Sequence, residues 1–171
     1  MSDVVEPTDE VDDDSDALPE SALEEMPESP PEPEAFSPVE ILDVQIVLPE
    51  SHARLILGEI DDPRRVLTIP IGIPDATAIA FAREGVATPR PLTHDLFLSA
   101  LQALGVVIET VRITGLAGRT FFAELVLSGS TGPKVLDCRP SDAIALALRQ
   151  ELPVPITVAT EVLDQLEPRN S

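Results

Sequence analysis

The chain has 171 residues and carries 31 Asp and Glu against 11 Lys and Arg, a formal charge of -20. That length gives one ordinary domain, and that charge argues against a tight binder of nucleic-acid backbone, which normally shows a basic stripe. A single cysteine excludes an intrachain disulfide and a multi-cysteine zinc site. The lack of Trp and Tyr disfavours recognition by aromatic stacking.

The charge is unevenly placed. Residues 1–37 hold 14 of the acids and no Lys or Arg, which leaves 17 acids and 11 bases, or -6, for the rest. A segment so acidic, rich in Pro and Ser and poor in bulky apolar side chains, cannot bury enough surface to offset its ordering entropy. Residues 1–37 are therefore expected to be a disordered acidic tail, and residues 38–168 a single folded domain. The first residues carry acids where a signal peptide carries bases. No apolar run reaches the ~20 residues of a membrane helix. With the lone cysteine, these features point to a cytoplasmic protein with no membrane partner.

The first element of the domain runs from Val39 to Leu48, with Leu42, Val44, Ile46 and Leu48 at period two, a half-buried strand. Pro49-Glu50-Ser51 turns the chain into a second strand, Arg54 to Ile60. Asp61-Asp62-Pro63-Arg64 leads to a third, Arg65 to Ile71, which completes an antiparallel meander. Gly72-Ile73-Pro74-Asp75 starts a helix with Ala76, Ile79, Ala80 and Arg83 at helical spacing, and Gly85 ends it. After an extended stretch with Pro89 and Pro91, Thr93 is the expected N-cap of a second helix to Leu104. Its buried face is read as Leu96, Phe97, Ala100, Leu101 and Leu104.

Val106 to Thr114 is a strand with Val107, Val111 and Ile113 on one side. Gly115 to Gly118 turns the chain, and Thr120 to Leu127 returns antiparallel. Lys134 to Cys138 is a strand that feeds a third helix through Arg139-Pro140-Ser141-Asp142. There Pro140 fits a helix start, Ser141 is the expected N-cap, and Asp142 meets the positive end of the helix dipole. Ala143, Ile144, Leu146, Ala147 and Leu148 make this helix apolar nearly all round, the mark of a buried helix. Val154 to Val158 is a last short strand, and Thr160 to Glu167 a last amphipathic helix with Val162, Leu163 and Leu166 inward. The tally is an α+β fold: a mostly antiparallel sheet of about seven strands with three to four helices.

Two segments carry a resemblance. Asp137-Cys138-Arg139-Pro140-Ser141-Asp142-Ala143-Ile144-Ala145-Leu146-Ala147 and Arg90-Pro91-Leu92-Thr93-His94-Asp95-Leu96 resemble signatures of the bifunctional nuclease (BFN) domain family, and Leu67 to Ile79 matches a weaker third. The resemblance spans roughly residues 39–166. It implies a nuclease acting on RNA and DNA, with a compact α+β domain that self-associates as a homo-oligomer. The chain departs from the family pattern at Asp75, where Glu is usual, at Cys138, where Ala is usual, and at Thr157, where an aromatic is common.

Phosphodiester hydrolysis needs an activated water and stabilisation of charge on the phosphate oxygens, which carboxylate-bound Mg²⁺ or Mn²⁺ commonly supplies. The candidates lie at two helix entrances. His94, Asp137 and Asp142 are the expected acid–base groups, Arg90 and Arg139 the phosphate contacts, and Asp95 and Asp142 the metal ligands. The same residue types serve equally as helix caps, first-turn acids and a local ion pair of Arg139 with Asp137 or Asp142. A lone cysteine at a strand end is more often a small apolar residue than a nucleophile. Two functions therefore stay open: a metal-assisted, sequence-nonspecific nuclease, and a non-catalytic oligomeric binding or regulatory module that uses the charged turns as an interface or an anion site.

Overall fold

The computed structural model of the protein describes residues 35–47, 49, 52–61 and 64–166. The expected disordered tail lies outside these residues except for its end, where Phe36 and Ser37 already belong to the first strand.

Seven strands form one sheet. They are β1 (Phe36–Val47), β2 (His52–Glu59), β3 (Val66–Ile71), β4 (Val107–Ala117), β5 (Thr120–Ser128), β6 (Lys134–Cys138) and β7 (Ile156–Ala159). The order across the sheet is β3-β2-β1-β7-β4-β5-β6. Every neighbouring pair is antiparallel except β4 with β7. That one parallel pair joins the β1–β3 meander to the β4–β6 meander, so the last strand closes the fold at its centre. Four helices complete it: α1 (Ile73–Arg83), α2 (Thr93–Ala103), α3 (Pro140–Ala147) and α4 (Thr160–Leu166). The α+β class and the seven-stranded, mostly antiparallel sheet agree with the sequence pattern.

α3 is the hub. It packs against α1, α2, β4 and β5, and Pro140, Ser141 and every residue from Ala143 to Ala147 are buried. Small alanines on one side let the neighbouring elements approach, while Ile144 and Leu146 fill the space between them. The burial of a whole helix fixes its entrance, which is why the charged turn before it can hold a defined geometry.

The strand faces depart from the period-two reading at two bulges. β1 shifts register between Ile41 and Asp43, which turns Leu42 outward over Gly58. A Cβ at position 58 would stand 2.8 Å from Leu42 Cδ1, so the close approach requires glycine. β4 shifts between Ile108 and Thr110, so Ile108 is buried and Val107 exposed, the reverse of the expectation. A bulge adds one unpaired residue and so swaps the faces on its far side.

α2 also presents a different face. Leu98 and Leu101 are its buried residues, while Leu96 is 65% and Leu104 74% exposed, and Phe97 is exposed too. His94 lies on the same side as Leu98 and Leu101, at i, i+4, i+7, so a polar residue occupies part of the inward stripe. The caps fall one or two residues earlier than expected as well. Leu92 and Arg139, not Thr93 and Ser141, are the N-cap residues of α2 and α3. Leu166 at the end of α4 is exposed rather than inward.

Candidate functional site

Helices α1, α2 and α3 begin alike. Each has an extended N-cap residue, Gly72, Leu92 or Arg139, and an aspartate three positions on: Asp75, Asp95 or Asp142. An acid at this position suits the free N–H groups and the dipole of a first turn. The three aspartates nevertheless have different partners.

Asp95 behaves as a cap. Its Oδ2 accepts from Leu92 N at 2.7 Å, and its Oδ1 accepts from Arg149 Nε at 2.6 Å. Arg149 donates further to Ala145 O at 2.7 Å and Ala78 O at 3.1 Å, which ties α1, α2 and the end of α3 together. Its side chain is only 8% exposed. Burial alone would raise the Asp95 pKa, but the Leu92 N–H and the Arg149 guanidinium outweigh it and hold the carboxyl below its usual range.

Asp75 and Asp142 both turn to Arg139. Arg139 Nε donates to Asp142 Oδ2 at 2.7 Å and Nη2 to Asp142 Oδ1 at 2.8 Å, a bidentate pair. The far edge of the guanidinium reaches Asp75 at 3.2 and 3.3 Å. His94 Nε2 stands 3.4 Å from Asp142 Oδ1. A continuous chain Asp75–Arg139–Asp142–His94 therefore spans α1, α3 and α2. The hydrogen bonds from Arg139 hold the Asp142 carboxyl below the usual carboxylate range, with a smaller contribution from His94. Arg139 is 64% exposed and Arg149 only 8%, while their aspartate partners are alike at 32% and 35%, so the two pairs differ in the exposure of the arginine.

Two clefts flank the cluster. One, of about 360 Å³, is lined by Asp75 and Arg139 together with Pro70, Arg119, Thr120 and Phe121. The other, of about 270 Å³, is lined by His94, Asp137, Cys138 and Asp142 with the apolar walls of Phe97 and Leu136. The α3 entrance is the ridge between them.

Of the residues singled out in the sequence, His94, Arg139 and Asp142 are brought together. Asp137 lines the second cleft, but Arg139 takes Asp142 and Asp75 in its place. Arg90 is exposed on the connection to α2 and lines neither cleft. Asp95 lies apart, both of its oxygens engaged by its own capping N–H and by Arg149. Cys138 is half-buried, and burial, with Asp142, Asp137 and Glu124 nearby, pushes its thiol up to about 11. That favours the protonated thiol and the apolar reading. Asp75 and Arg119 were not among the sequence candidates. Asp75 carried two signals, its place at the helix start after Gly72 and its place in the third segment of the family resemblance, where Glu is usual; Arg119, at a turn, carried none.

A divalent cation on Asp95 and Asp142 does not fit this arrangement. Each carboxylate is bound by a guanidinium, and among the described residues no group of three or more His, Cys, Asp or Glu side chains is placed to hold a metal ion.

Comparison with known proteins adds to the geometry. Residues 55–170 match the model of a family described as the bifunctional nuclease domain. An uncharacterized protein of Mycobacterium tuberculosis (strain H37Rv) is 39% identical over 127 residues, which is 74% of this chain and 74% of that protein. Bifunctional nuclease 2 of Arabidopsis thaliana is 28% identical over 109 residues, 61% of this chain and 33% of the plant protein. Bifunctional nuclease 1 of the same plant is 28% identical over 108 residues, again 61% and 33%.

Proposed function

The chain belongs to the bifunctional nuclease domain family, and on that premise we propose that it hydrolyses phosphodiester bonds of RNA and DNA without sequence specificity, at the entrance of α3. The observation that carries the reading is the chain Asp75–Arg139–Asp142–His94, held by three helices and open to a cleft on either side.

Asp142 is ionised and can only accept, so His94 donates from Nε2 and its Nδ1 is the acceptor nitrogen. In the proposed step, His94 Nδ1 takes a proton from a water molecule as its oxygen attacks phosphorus. The bond from phosphorus to the leaving oxygen breaks, and the imidazolium returns the proton to that oxygen. Asp142 stabilises the imidazolium, as an orienting carboxylate does. The Nε2 to Oδ1 distance of 3.4 Å is long, as catalytic hydrogen bonds often are before substrate binds. Asp142 and Asp75 take four of the five guanidinium N–H donors of Arg139, and the remaining Nη1–H is the one it offers to a phosphate oxygen. Asp75 is a positioning residue that holds the Nη1–Nη2 edge.

A cation at Asp142 would have to displace Arg139. Cleavage by highly purified protein is measured in chelator and with Mg²⁺ or Mn²⁺, beside His94→Gln. The expectation is cleavage in chelator that falls by about a hundredfold or more in the variant, the usual contribution of a general base. Cleavage confined to the cation-containing samples would overturn the metal-free step. Full activity of His94→Gln would overturn the role of the imidazole.

One observation favours a second reading, a non-catalytic binding module. Arg139 already satisfies two carboxylates, and the domain is acidic overall, which leaves little attraction for a polyanion. Absence of cleavage under every condition, with retained binding of a small anion, would put that reading first.

We also propose a homo-oligomer. Leu104, Val107 and Leu152 are exposed, and the last two line one surface depression. Apolar surface of this kind commonly marks an interface. Light scattering at micromolar concentration is expected to give at least a dimer, and a monomer would end the claim.

A further inference from the structure

Arg119 sits at the tip of the β4–β5 hairpin. Ala117 pairs with Thr120, so Gly118 and Arg119 are the two loop residues. Gly118 has φ +62°, the conformation that the first position of such a tight turn needs and that glycine adopts without strain. The turn thus fixes the backbone from which Arg119 projects.

Three other arginines of the domain are engaged. Arg139 holds Asp142 and Asp75, Arg149 holds Asp95, and Arg112 lies over the Phe36 ring at 5.4 Å. Arg119 is exposed, and among the described residues no acidic side chain pairs with it. It lines the same cleft as Arg139, together with Pro70, Thr120 and Phe121. The cleft across the ridge is more apolar, and Phe97 and Leu136 face into it. At about 360 and 270 Å³, both are near the small end of ligand sites, of order 300 Å³ and upward. Each is sized for one nucleoside.

We infer that the substrate strand crosses the α3 ridge with its scissile phosphate at Arg139, and that Arg119 binds the next phosphate along. The nucleoside between those two phosphates lies in the Arg119 cleft against Phe121, and the base on the other side of the scissile phosphate lies against Phe97 and Leu136. This rests on the hydrolase reading above. It also answers the charge problem of that reading. Asp75 and Asp142 outnumber Arg139 and leave the trio net negative, so a polyanion needs a cation that is not already spent, and in the inferred pose Arg119 supplies it one nucleotide away. Aromatic and apolar walls accept any base by its face, which suits a site without sequence preference. The ligand class is an oligonucleotide with at least two adjacent phosphodiesters. A dinucleoside monophosphate would fill both clefts and leave Arg119 empty.

The test begins with binding in chelator, so that it does not depend on cleavage. Fluorescence anisotropy is recorded for a labelled trinucleotide with two internal phosphodiesters and for a labelled dinucleoside monophosphate, on the full chain and on Arg119→Ala. The variant is expected to bind the trinucleotide about tenfold more weakly, with a salt dependence reduced by about one phosphate contact, and the dinucleotide unchanged. Arg119→Lys should recover part of the loss, because a charge remains. Equal loss for both ligands, or no loss for either, would overturn the inference. Trinucleotide binding that depends on Arg119, in a wild-type protein that cleaves nothing, would retain the subsite and remove the hydrolase reading. Failure of the wild type to bind either ligand would remove both.

Discussion

The entrances of α2 and α3 are the same device put to two uses. Each places an aspartate three residues after an extended N-cap residue and pairs it with an arginine through a short N–H···O bond, 2.6 Å for Asp95 with Arg149 and 2.7 Å for Asp142 with Arg139. At α2 the arginine is enclosed, at 8% exposure, although Asp95 itself is 35% exposed. Arg149 spends its remaining donors on the Ala78 and Ala145 carbonyls, and the aspartate keeps its capping bond. At α3 the aspartate gives up that bond, the arginine faces solvent, and a histidine joins from a neighbouring helix. Two identical residue types at identical helix positions thus differ in what surrounds them. The pair with the buried arginine holds elements together, whereas in the proposed function the pair with the exposed arginine and a histidine beside it is the one that meets the substrate.

Removing one partner from each pair should separate them most sharply. Arg149→Ala leaves the Ala78 and Ala145 carbonyls without their donor and removes one partner of Asp95, and is expected to cost about 3 kcal/mol in urea denaturation. A loss below about 1 kcal/mol would mean that the knot is not closed. A second enclosed pair sharpens the point by pH. Arg65 donates to both oxygens of the buried Glu59 and also contacts Asp164. The Arg65 hydrogen bonds bring the Glu59 pKa down to about 2 from 4.5. The folded value lies below the unfolded one, so the stabilisation is complete above about pH 4.5 and is lost as pH falls towards 2. It amounts to roughly 3 kcal/mol. Glu59→Gln should show a flatter acid limb between those values, and an unchanged limb would contradict the assignment. The smallest effect on stability belongs to the open pair. Arg139→Ala is expected to cost less than about 1 kcal/mol, as solvent-exposed pairs do, while it abolishes cleavage. A large loss of stability would make Arg139 a second Arg149.

The order and type of the elements were legible because local signals agreed: glycine and proline breaks, period-two strands and a helix apolar all round between Ala143 and Leu148. Leu42 and Val107 were assigned to the wrong face because a bulge displaces the pattern by one residue, and nothing in the local composition marks that residue. In α2 an apolar count preferred Leu96, Phe97 and Leu104, whereas the inward stripe holds His94, Leu98 and Leu101. A histidine that belongs to the cluster lowers the apparent hydrophobicity of the face it sits on. His94, Arg139 and Asp142 could be picked out because they stand in two short motifs. Asp75 joins Arg139 across 64 positions, and Arg119 reaches the same cleft through a hairpin. Both are consequences of topology, which periodicity does not encode. Which of Asp95 and Asp142 is spoken for by a buried arginine was likewise invisible, since Arg149 lies 54 positions from its partner.

The most direct measurement sets the two aspartates side by side. Asp142→Asn and Asp95→Asn keep the shape of each side chain and remove its charge. Cleavage of RNA and single-stranded DNA is followed together with thermal unfolding by circular dichroism. Asp142→Asn is expected to lose cleavage by about a hundredfold or more with its unfolding temperature almost unchanged, and Asp95→Asn to unfold at a clearly lower temperature while its folded fraction still cleaves. Cleavage unaffected by Asp142→Asn, or the two variants behaving alike, would contradict the division between an open working pair and a closed structural one.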